Sequence, residues 1–196
     1  MTAALFLNAV ARDDIRAHIL RTRPELKHDL SAVRLEAIRL TLIRSNEDPA
    51  LAEPAFGVFF AERNRVTLFD DATLALEFLA ARFPVVALSN GNADVTRIGL
   101  GKYFSACISA QAFGVGKPDA RIFQAAAEAV EVDVKNVLHI GDDASLDVLG
   151  ALNAGMQAVW LNRSGHVWQH AGQPHLTVTN LTQLCDVLNA AEEVAA

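Results

Sequence analysis

The feature that most constrains the fold of this chain is a regular alternation of short apolar runs and helical patterns from about residue 66 onward. Each apolar run has the length and composition of a buried strand, and helical spacing dominates the segments between them. The predicted strands are Val85–Leu88, Ala106–Ile108, Val137–Ile140 and Ala158–Leu161, and the predicted helices cover 71–82, 119–130, 144–154 and 181–190. This alternation indicates an α/β fold in which helices wrap a parallel sheet.

Residues 9 to about 65 differ from the rest, because helical patterns occur there without strand patterns. The segment 31–43 begins with Ser31, which we predict to be the N-cap, and it places apolar residues on one helical face. A further helix is predicted from Pro49 or Ala50 to Phe60. We therefore divide the chain into a small helical domain over residues 1–65 and an α/β domain over residues 66–196.

Composition excludes several classes of function. The 196 residues carry a net charge of −6, whereas a nucleic-acid-binding protein is expected to present a basic stripe. No apolar run approaches the ~18 residues that a membrane helix requires. The chain has only two cysteines, and its first residues lack the basic segment of a signal peptide. We therefore expect a cytoplasmic protein, monomeric or homodimeric, that binds neither nucleic acid nor membrane.

Three carboxylates, those of Asp142, Asp143 and Asp147, follow the predicted strand Val137–Ile140. Adjacent like charges at a strand end are unfavourable unless a cation joins them, because each raises the pKa of the other. A few hard oxygen ligands at a crevice suit Mg²⁺ that shares a substrate phosphate. The alternative is that Asp142 or Asp143 only caps the following helix. Capping requires one aspartate, so three of them favour a metal site.

Two further strand ends carry groups suited to an anion. Ser89, Asn90 and Gly91 follow the strand Val85–Leu88, where hydroxyl and backbone donors can converge, although such residues are also ordinary turn formers. Lys117 precedes Pro118 at a predicted helix start and could neutralise a phosphate or a carboxylate, or could simply be a solvated surface lysine. The glycines before Lys117 do not form a P-loop, because Pro118 stands where that motif requires Ser or Thr.

The order of these groups is more specific than any one of them. A hydroxyl after one strand, Lys-Pro further along, and Gly-Asp-Asp-x-x-x-Asp after another strand resemble three motifs of the haloacid dehalogenase-like (HAD) hydrolase superfamily. The resemblance covers roughly residues 66 to 190 and implies a Rossmann-like core with a small helical cap. It implies that Ser89 and Lys117 are catalytic, and that both bind substrate together with Asn90 and Gly91. By the same resemblance Asp142 binds Mg²⁺, while Asp143 and Asp147 bind the metal or support it.

The family's first motif, Asp-x-Asp after an apolar strand, does not occur in this sequence. In the family its first Asp is the nucleophile and its second the acid/base. One explanation is a degenerate strand at Leu5–Val10, with Asn8 and Val10 in place of the carboxylates. We favour a second, in which Ala4–Ala11 belongs to the cap and the first core strand is missing through truncation. In the family that strand lies between those preceding Ser89 and Asp142, so its loss would leave a gap of ~10 Å.

The resemblance predicts a Mg²⁺-dependent phosphatase that acts on a small phosphorylated metabolite through an aspartyl-phosphate. The segment from Arg23 to Ser31, with Arg34 and Ile38, resembles the cap of a branch that includes phosphatases of flavin mononucleotide and of a riboflavin precursor. Without the nucleophile we expect this chain alone to be inactive. One alternative is a 2-haloacid dehalogenase, which works without metal. The other is a non-catalytic binding module of the same fold.

Overall fold

In the computed structural model, which describes residues 9–195, the N-terminal part of the chain forms three α-helices. They are α1 (Ala9–Thr22), α2 (Leu30–Arg44) and α3 (Ala52–Arg63), and α2 packs against both of the others. The hypothetical first strand at Leu5–Val10 lies mostly outside the described residues, and α1 already includes Val10. The helical character predicted for this half is therefore confirmed from residue 9 onward, while the domain boundary at residue 65 stays a prediction.

The start of α2 corrects one sequence prediction. The N-cap is Asp29, whose Oδ1 accepts a hydrogen bond from the backbone N–H of Ala32 at 2.9 Å. Ser31 instead lies in the first turn, where its Oγ contacts Nδ2 of Asn92 at 3.3 Å. Asp and Ser both cap helices well, so the sequence alone does not show whether Asp29 or Ser31 is the N-cap. In the structure Asp29 caps the helix, while the Ser31 hydroxyl contacts Asn92 instead.

The second half of the chain alternates strands with helices, as predicted. All strand pairs are parallel: β1 pairs with β2, β3 with β4, and β4 with β5. The four predicted strands are confirmed to within one residue at each end, but the short β5 was not predicted. In chain order the elements are α4 (Ala72–Ala80), β1 (Val86–Ser89), β2 (Ala106–Ser109), α5 (Ala110–Phe113), α6 (Ala120–Glu128), β3 (Leu138–Gly141), a π-helical segment (Ala144–Leu149), α7 (Gly150–Asn153), β4 (Gln157–Leu161), β5 (Leu176–Val178) and α8 (Leu181–Ala195).

The strands form two separate sheets within residues 9–195, β1–β2 and β3–β4–β5. No ladder joins β1 to β3, the two strands whose ends carry Ser89 and Gly141. Every residue of β1 and β3 is only half-buried, whereas the centre of β4 is buried. The division falls where the family resemblance expects an additional strand.

Helix α6 holds the two sheets on one core. Ile122 and Phe123 have no exposed surface, and they cluster with side chains of both sheets, including Leu88 of β1 and Ala158 of β4. The Phe123 ring meets the His139 ring of β3 edge-on, with 5.0 Å between centroids. Hydrophobic burial by α6 therefore supplies part of the cohesion that a continuous ladder would otherwise provide.

No helix within residues 9–195 combines the length and the apolar composition needed to cross a membrane.

We predict that Phe123→Ala lowers the free energy of unfolding by about 3–5 kcal/mol, since it empties a fully buried site between the two sheets. Urea unfolding followed by circular dichroism measures the change. Phe69→Ala is the matched control, because 65% of Phe69 is exposed, and we expect it to cost less than about 1 kcal/mol. Equal losses in the two variants would contradict the role assigned to α6.

Candidate active site

The predicted site residues cluster at the carboxyl ends of β1 and β3. Ser89 is the last residue of β1, and Gly141 is the last residue of β3, directly before Asp142 and Asp143. Ligands of parallel α/β sheets bind at this edge, outside the ends of the strands. The turn after β1 is held by Ser89 itself, whose Oγ accepts a hydrogen bond from the backbone N–H of Gly91 at 2.9 Å.

Asn90 fixes the position of the Lys117 backbone. Its Oδ1 accepts a hydrogen bond from the Lys117 N–H at 2.7 Å, and its Nδ2 donates to the Lys117 carbonyl at 2.8 Å. Gly116 makes this approach possible, because a Cβ at that position would lie only 2.6 Å from Asn90 Oδ1. Both polar ends of the Asn90 amide are therefore engaged, and this side chain positions Lys117.

While the Asn90 amide holds its backbone, the Lys117 side chain extends across the space between β1 and β3. Its Nζ donates to the Leu88 carbonyl of β1 at 3.1 Å and to Oδ1 of Asp147 at 2.5 Å. Only 13% of the Lys117 side chain and 6% of the Asp147 side chain are exposed. The alternative of a solvated surface lysine is thus excluded. An ammonium group has three N–H donors, so one of them is left for a further acceptor.

Asp147 is the acceptor at the centre of the network. Its Oδ1 also accepts from Nε2 of His139 at 3.0 Å, and its Oδ2 accepts from the backbone N–H of Asp143 at 3.1 Å. Burial alone would raise the pKa of Asp147, but hydrogen bonds from His139 and Lys117 and their charges outweigh it and lower the pKa to about 2. The carboxyl group is consequently ionised at neutral pH.

The glycine before the two aspartates has a steric role. A Cβ on Gly141 would lie 2.2 Å from Cγ of Asp147, which is far inside van der Waals contact. The side chain of Asp147 therefore folds back over the end of β3, and only glycine leaves room for it there. The glycine of the Gly-Asp-Asp motif and its third carboxylate are thus parts of one packing arrangement.

Asp142 and Asp143 remain exposed at the same strand end. Asp143 is the N-cap of the following helix, since its Oδ1 accepts from the N–H groups of Ser145 and Leu146, both at 2.8 Å. Its Oδ2 accepts no hydrogen bond from any residue of the described range, and neither does the side chain of Asp142. The capping alternative is correct for Asp143 alone, and three carboxylate oxygens still face outward.

The two aspartates line a hollow of about 350 Å³. Its other wall is the loop after β4, where Trp168 stacks edge-on against Trp160 with 5.0 Å between ring centroids. Trp160 is 5% exposed, and its Nε1 donates to the Asp142 carbonyl at 3.0 Å, so it both packs in the core and fixes the acidic turn. His166 and His170 also line this hollow from the loop.

Hydrogen bonds connect nearly all the predicted site residues. They run from Lys117 to Asn90 in one direction and to Asp147 and Asp143 in the other, while Ser89 and Gly91 form the turn beside Asn90. Asp142 adjoins the network through the chain. Within the described residues, Gly91 and Asp142 do not line the same hollow. Asp142 lines the hollow described above, and Gly91 lines another one, beside the N-terminal helices.

Sequence reasoning overlooked His139 and the glycine at position 116. His139 is a polar residue in an otherwise apolar strand, which was the available signal for a buried hydrogen-bond partner. Gly116 carried no comparable signal, because its role depends on Asn90, a residue distant in the chain.

Asp142 and Asp143 could hold Mg²⁺. No group of three or more His, Cys, Asp or Glu within residues 9–195 is arranged to hold a metal by protein ligands alone. Mg²⁺ does not require such a cage, because it commonly binds one or two carboxylates together with water and substrate phosphate. The outward-facing oxygens of these two residues fit that donor set. Asp147 does not add to it in this arrangement, because both its oxygens are bonded to protein groups.

We predict that Asp147→Asn lowers the free energy of unfolding at pH 7 by about 3 kcal/mol, because it leaves the charge of Lys117 largely buried without its partner. Chemical unfolding measures the loss. Glu62→Gln removes an exposed ion pair with Arg65 and serves as control, with an expected change of less than about 1 kcal/mol. A loss for Asp147→Asn no larger than that of the control would contradict the bridging role.

The stability conferred by the Asp147 charge should depend on pH. The pKa of Asp147 is about 2 in the folded chain and ~3.9 in an unfolded one, so ionisation favours the folded state by about 2–3 kcal/mol above pH ~4. This contribution is lost as the pH falls from ~4 towards 2. The difference in unfolding free energy between wild type and Asp147→Asn should shrink over that interval. A difference that does not change between pH 6 and the lowest accessible pH would contradict the assignment.

Comparison with known proteins places the chain among hydrolases. It is 31% identical over 182 residues to the 5-amino-6-(5-phospho-D-ribitylamino)uracil phosphatase YigB of Escherichia coli (strain K12). The aligned residues cover 89% of this chain and 76% of that enzyme. It is 32% identical over 124 residues to (S)-2-haloacid dehalogenase 2 of Pseudomonas sp. (strain CBS-3), covering 60% and 54% of the two chains.

A solved structure with a similar fold is that of a 2-haloacid dehalogenase from Pseudomonas syringae pv. Tomato DC3000. It matches with a TM-score of 0.86 and 36% identity, over 94% of this chain and 82% of that one. The family model described as haloacid dehalogenase-like hydrolase matches residues 3–155, which is more than half of the chain. Motif order, fold and comparisons agree, and the chain belongs to the haloacid dehalogenase-like hydrolase family.

Proposed function

We propose that this chain is the scaffold of a Mg²⁺-dependent phosphomonoesterase for a small phosphorylated metabolite. The observation that carries the proposal is the hydrogen-bond network through Lys117 and Asp147, which adjoins the turn of Ser89 at one end and the outward-facing carboxylates of Asp142 and Asp143 at the other. Cationic, hydroxyl and acidic groups lie at or near the carboxyl ends of β1 and β3, which supports joint binding of a phosphate and a divalent cation. In this arrangement Gly91 and Asp142 line different hollows.

Each group has a distinct part in this proposal. The remaining N–H of Lys117 donates to a phosphate oxygen, and the Ser89 hydroxyl, whose oxygen already accepts from Gly91, donates to another. Asp142 and Asp143 would hold Mg²⁺, which when bound neutralises phosphate charge. His139 and Asp147 act on Lys117 by fixing its ammonium group, and they do not touch the phosphate themselves.

The nucleophile of the family's reaction has no counterpart in this sequence, since Asp-x-Asp does not occur in it. We therefore propose that these 196 residues bind a phosphate group without turning it over. The similarity to YigB supports a substrate such as 5-amino-6-(5-phospho-D-ribitylamino)uracil, a riboflavin precursor. Flavin mononucleotide is the other candidate, suggested by the resemblance of the cap segment. The proposed location is the cytoplasm, which the two free thiols of Cys107 and Cys185 support.

Dehalogenation of a 2-haloacid is the second candidate, favoured by the similarity to the Pseudomonas syringae dehalogenase structure. The substrate of that reaction carries a carboxylate. Asp142 and Asp143 would repel such a group in the absence of a metal, because both are exposed and face outward. This repulsion is the reason for preferring a metal-dependent phosphatase.

Calorimetric titration with orthophosphate, with and without Mg²⁺, tests the proposal on the chain as it is. We expect orthophosphate to bind at least about tenfold more tightly with Mg²⁺, and we expect Asp142→Asn to remove this dependence. Asp70→Asn, which alters an exposed carboxylate elsewhere, is the control and should behave like wild type.

Three outcomes would count against parts of the proposal. Phosphate binding that is indifferent to Mg²⁺ would contradict the metal role of Asp142. Release of chloride from 2-chloropropionate without metal would establish the dehalogenase instead. Mg²⁺-dependent hydrolysis of p-nitrophenyl phosphate would support the phosphatase class but contradict the inactivity of these 196 residues.

A further inference from the structure

A second, larger hollow lies between the three N-terminal helices and the turn after β1. Its volume is about 590 Å³, within the range of small-molecule sites. Gly91 and Asn92 form the side nearest β1, and Gly91 is the residue whose N–H holds the Ser89 hydroxyl. A molecule whose phosphate lies at Ser89 can therefore extend into this hollow.

The hollow is strongly cationic. Arg12 and Arg16 line it from α1, Arg34 from α2 and Arg63 from α3. Among the lining residues that the structure describes, Asp13 is the only acidic one. Arg12 and Arg16 are four residues apart on one helix, a spacing at which like charges repel. Four guanidinium groups against one carboxylate create a positive field in a concave site, which concentrates anions.

These four arginines differ from three other arginines of the helical segment. Arg23, Arg39 and Arg65 form ion pairs with glutamates. Within the described residues, none of the four that line the hollow forms an ion pair or donates a hydrogen bond through its guanidinium group. The guanidinium N–H groups of these arginines are consequently available to a ligand. A bound anion would reduce the repulsion between their positive charges.

Most of the other lining residues are apolar. Ile15 and Val33 are 3% and 5% exposed and form the floor, while the ring of Phe59 faces the guanidinium of Arg34, with 4.6 Å from Cζ to the ring centroid. A guanidinium stacked on an aromatic ring is held in a fixed plane, which favours bidentate contact with a carboxylate or phosphate. The hollow thus combines an apolar surface with oriented cationic donors.

We infer that this hollow binds the part of the substrate remote from the scissile phosphate, and that this part is an apolar or ring-shaped body bearing a second anionic group. The inference rests on the proposed function, because it takes Ser89 and Lys117 as the phosphate end. The substrate class is then phosphomonoesters with a second negative charge, and the four arginines select it.

A matched pair of probes tests the inference: phenyl phosphate and 4-carboxyphenyl phosphate, titrated calorimetrically in the presence of Mg²⁺. We expect the carboxylated probe to bind about tenfold more tightly or better, since one charge-assisted contact is worth at least that factor. Arg34→Gln should remove most of the advantage, measured as the ratio of the two affinities in the variant. Arg16→Gln, on another helix, provides an independent second variant should the first fold poorly.

Arg39→Gln is the control, because Arg39 is paired with Glu36 and Glu53 and does not line the hollow. It should keep the full preference for the carboxylated probe. Equal affinity of wild type for the two probes would overturn the inference and leave the proposed function standing. Failure of both probes to bind would overturn the proposed function, and the inference with it.

Discussion

The ion pair between Lys117 and Asp147 is the interaction on which the architecture of the site depends. The sheet is divided between β1 and β3, and this pair spans the division by linking the Leu88 carbonyl to the end of β3. A desolvated ion pair is stable only when its remaining hydrogen-bonding capacity is satisfied. His139 and the Asp143 N–H satisfy Asp147, and the Asn90 amide fixes the Lys117 backbone. The site is therefore one cooperative network.

The three carboxylates after β3 avoid mutual repulsion by having different partners. Asp147 turns back over Gly141 and is neutralised by Lys117. One carboxylate oxygen of Asp143 accepts the hydrogen bonds that cap the next helix. The side chain of Asp142 is exposed and has no hydrogen-bond partner among the residues that the structure describes. A cluster that looks electrostatically unfavourable in the sequence is thus resolved into one buried structural acid and two outward-facing acids, which suit a hard cation shared with substrate oxygens.

The helical segment is joined to the turn after β1 by polar contacts. Asn64, at the end of α3, accepts from the Asp94 N–H at 2.8 Å, and Asn92 contacts Ser31 of α2. These contacts place the helices beside the turn that holds Ser89, so the arginine-lined hollow opens next to the proposed phosphate end. The position of the helices relative to this turn is thereby fixed by hydrogen bonds.

The sequence alone determined the alternation of strands and helices, the order of the site motifs and the absence of Asp-x-Asp, because periodicity and short motifs are properties of neighbouring residues. Only the tertiary structure decided that Asp147 pairs with Lys117 and His139, that Asp29 rather than Ser31 caps α2, and that four arginines from three helices line one hollow. These features depend on contacts between different elements of the fold, and such contacts cannot be predicted from the pattern of neighbouring residues. A gap between the strands before Ser89 and Asp142 was expected from the family resemblance, but the strand pairing on each side of it was decided by packing across the whole core.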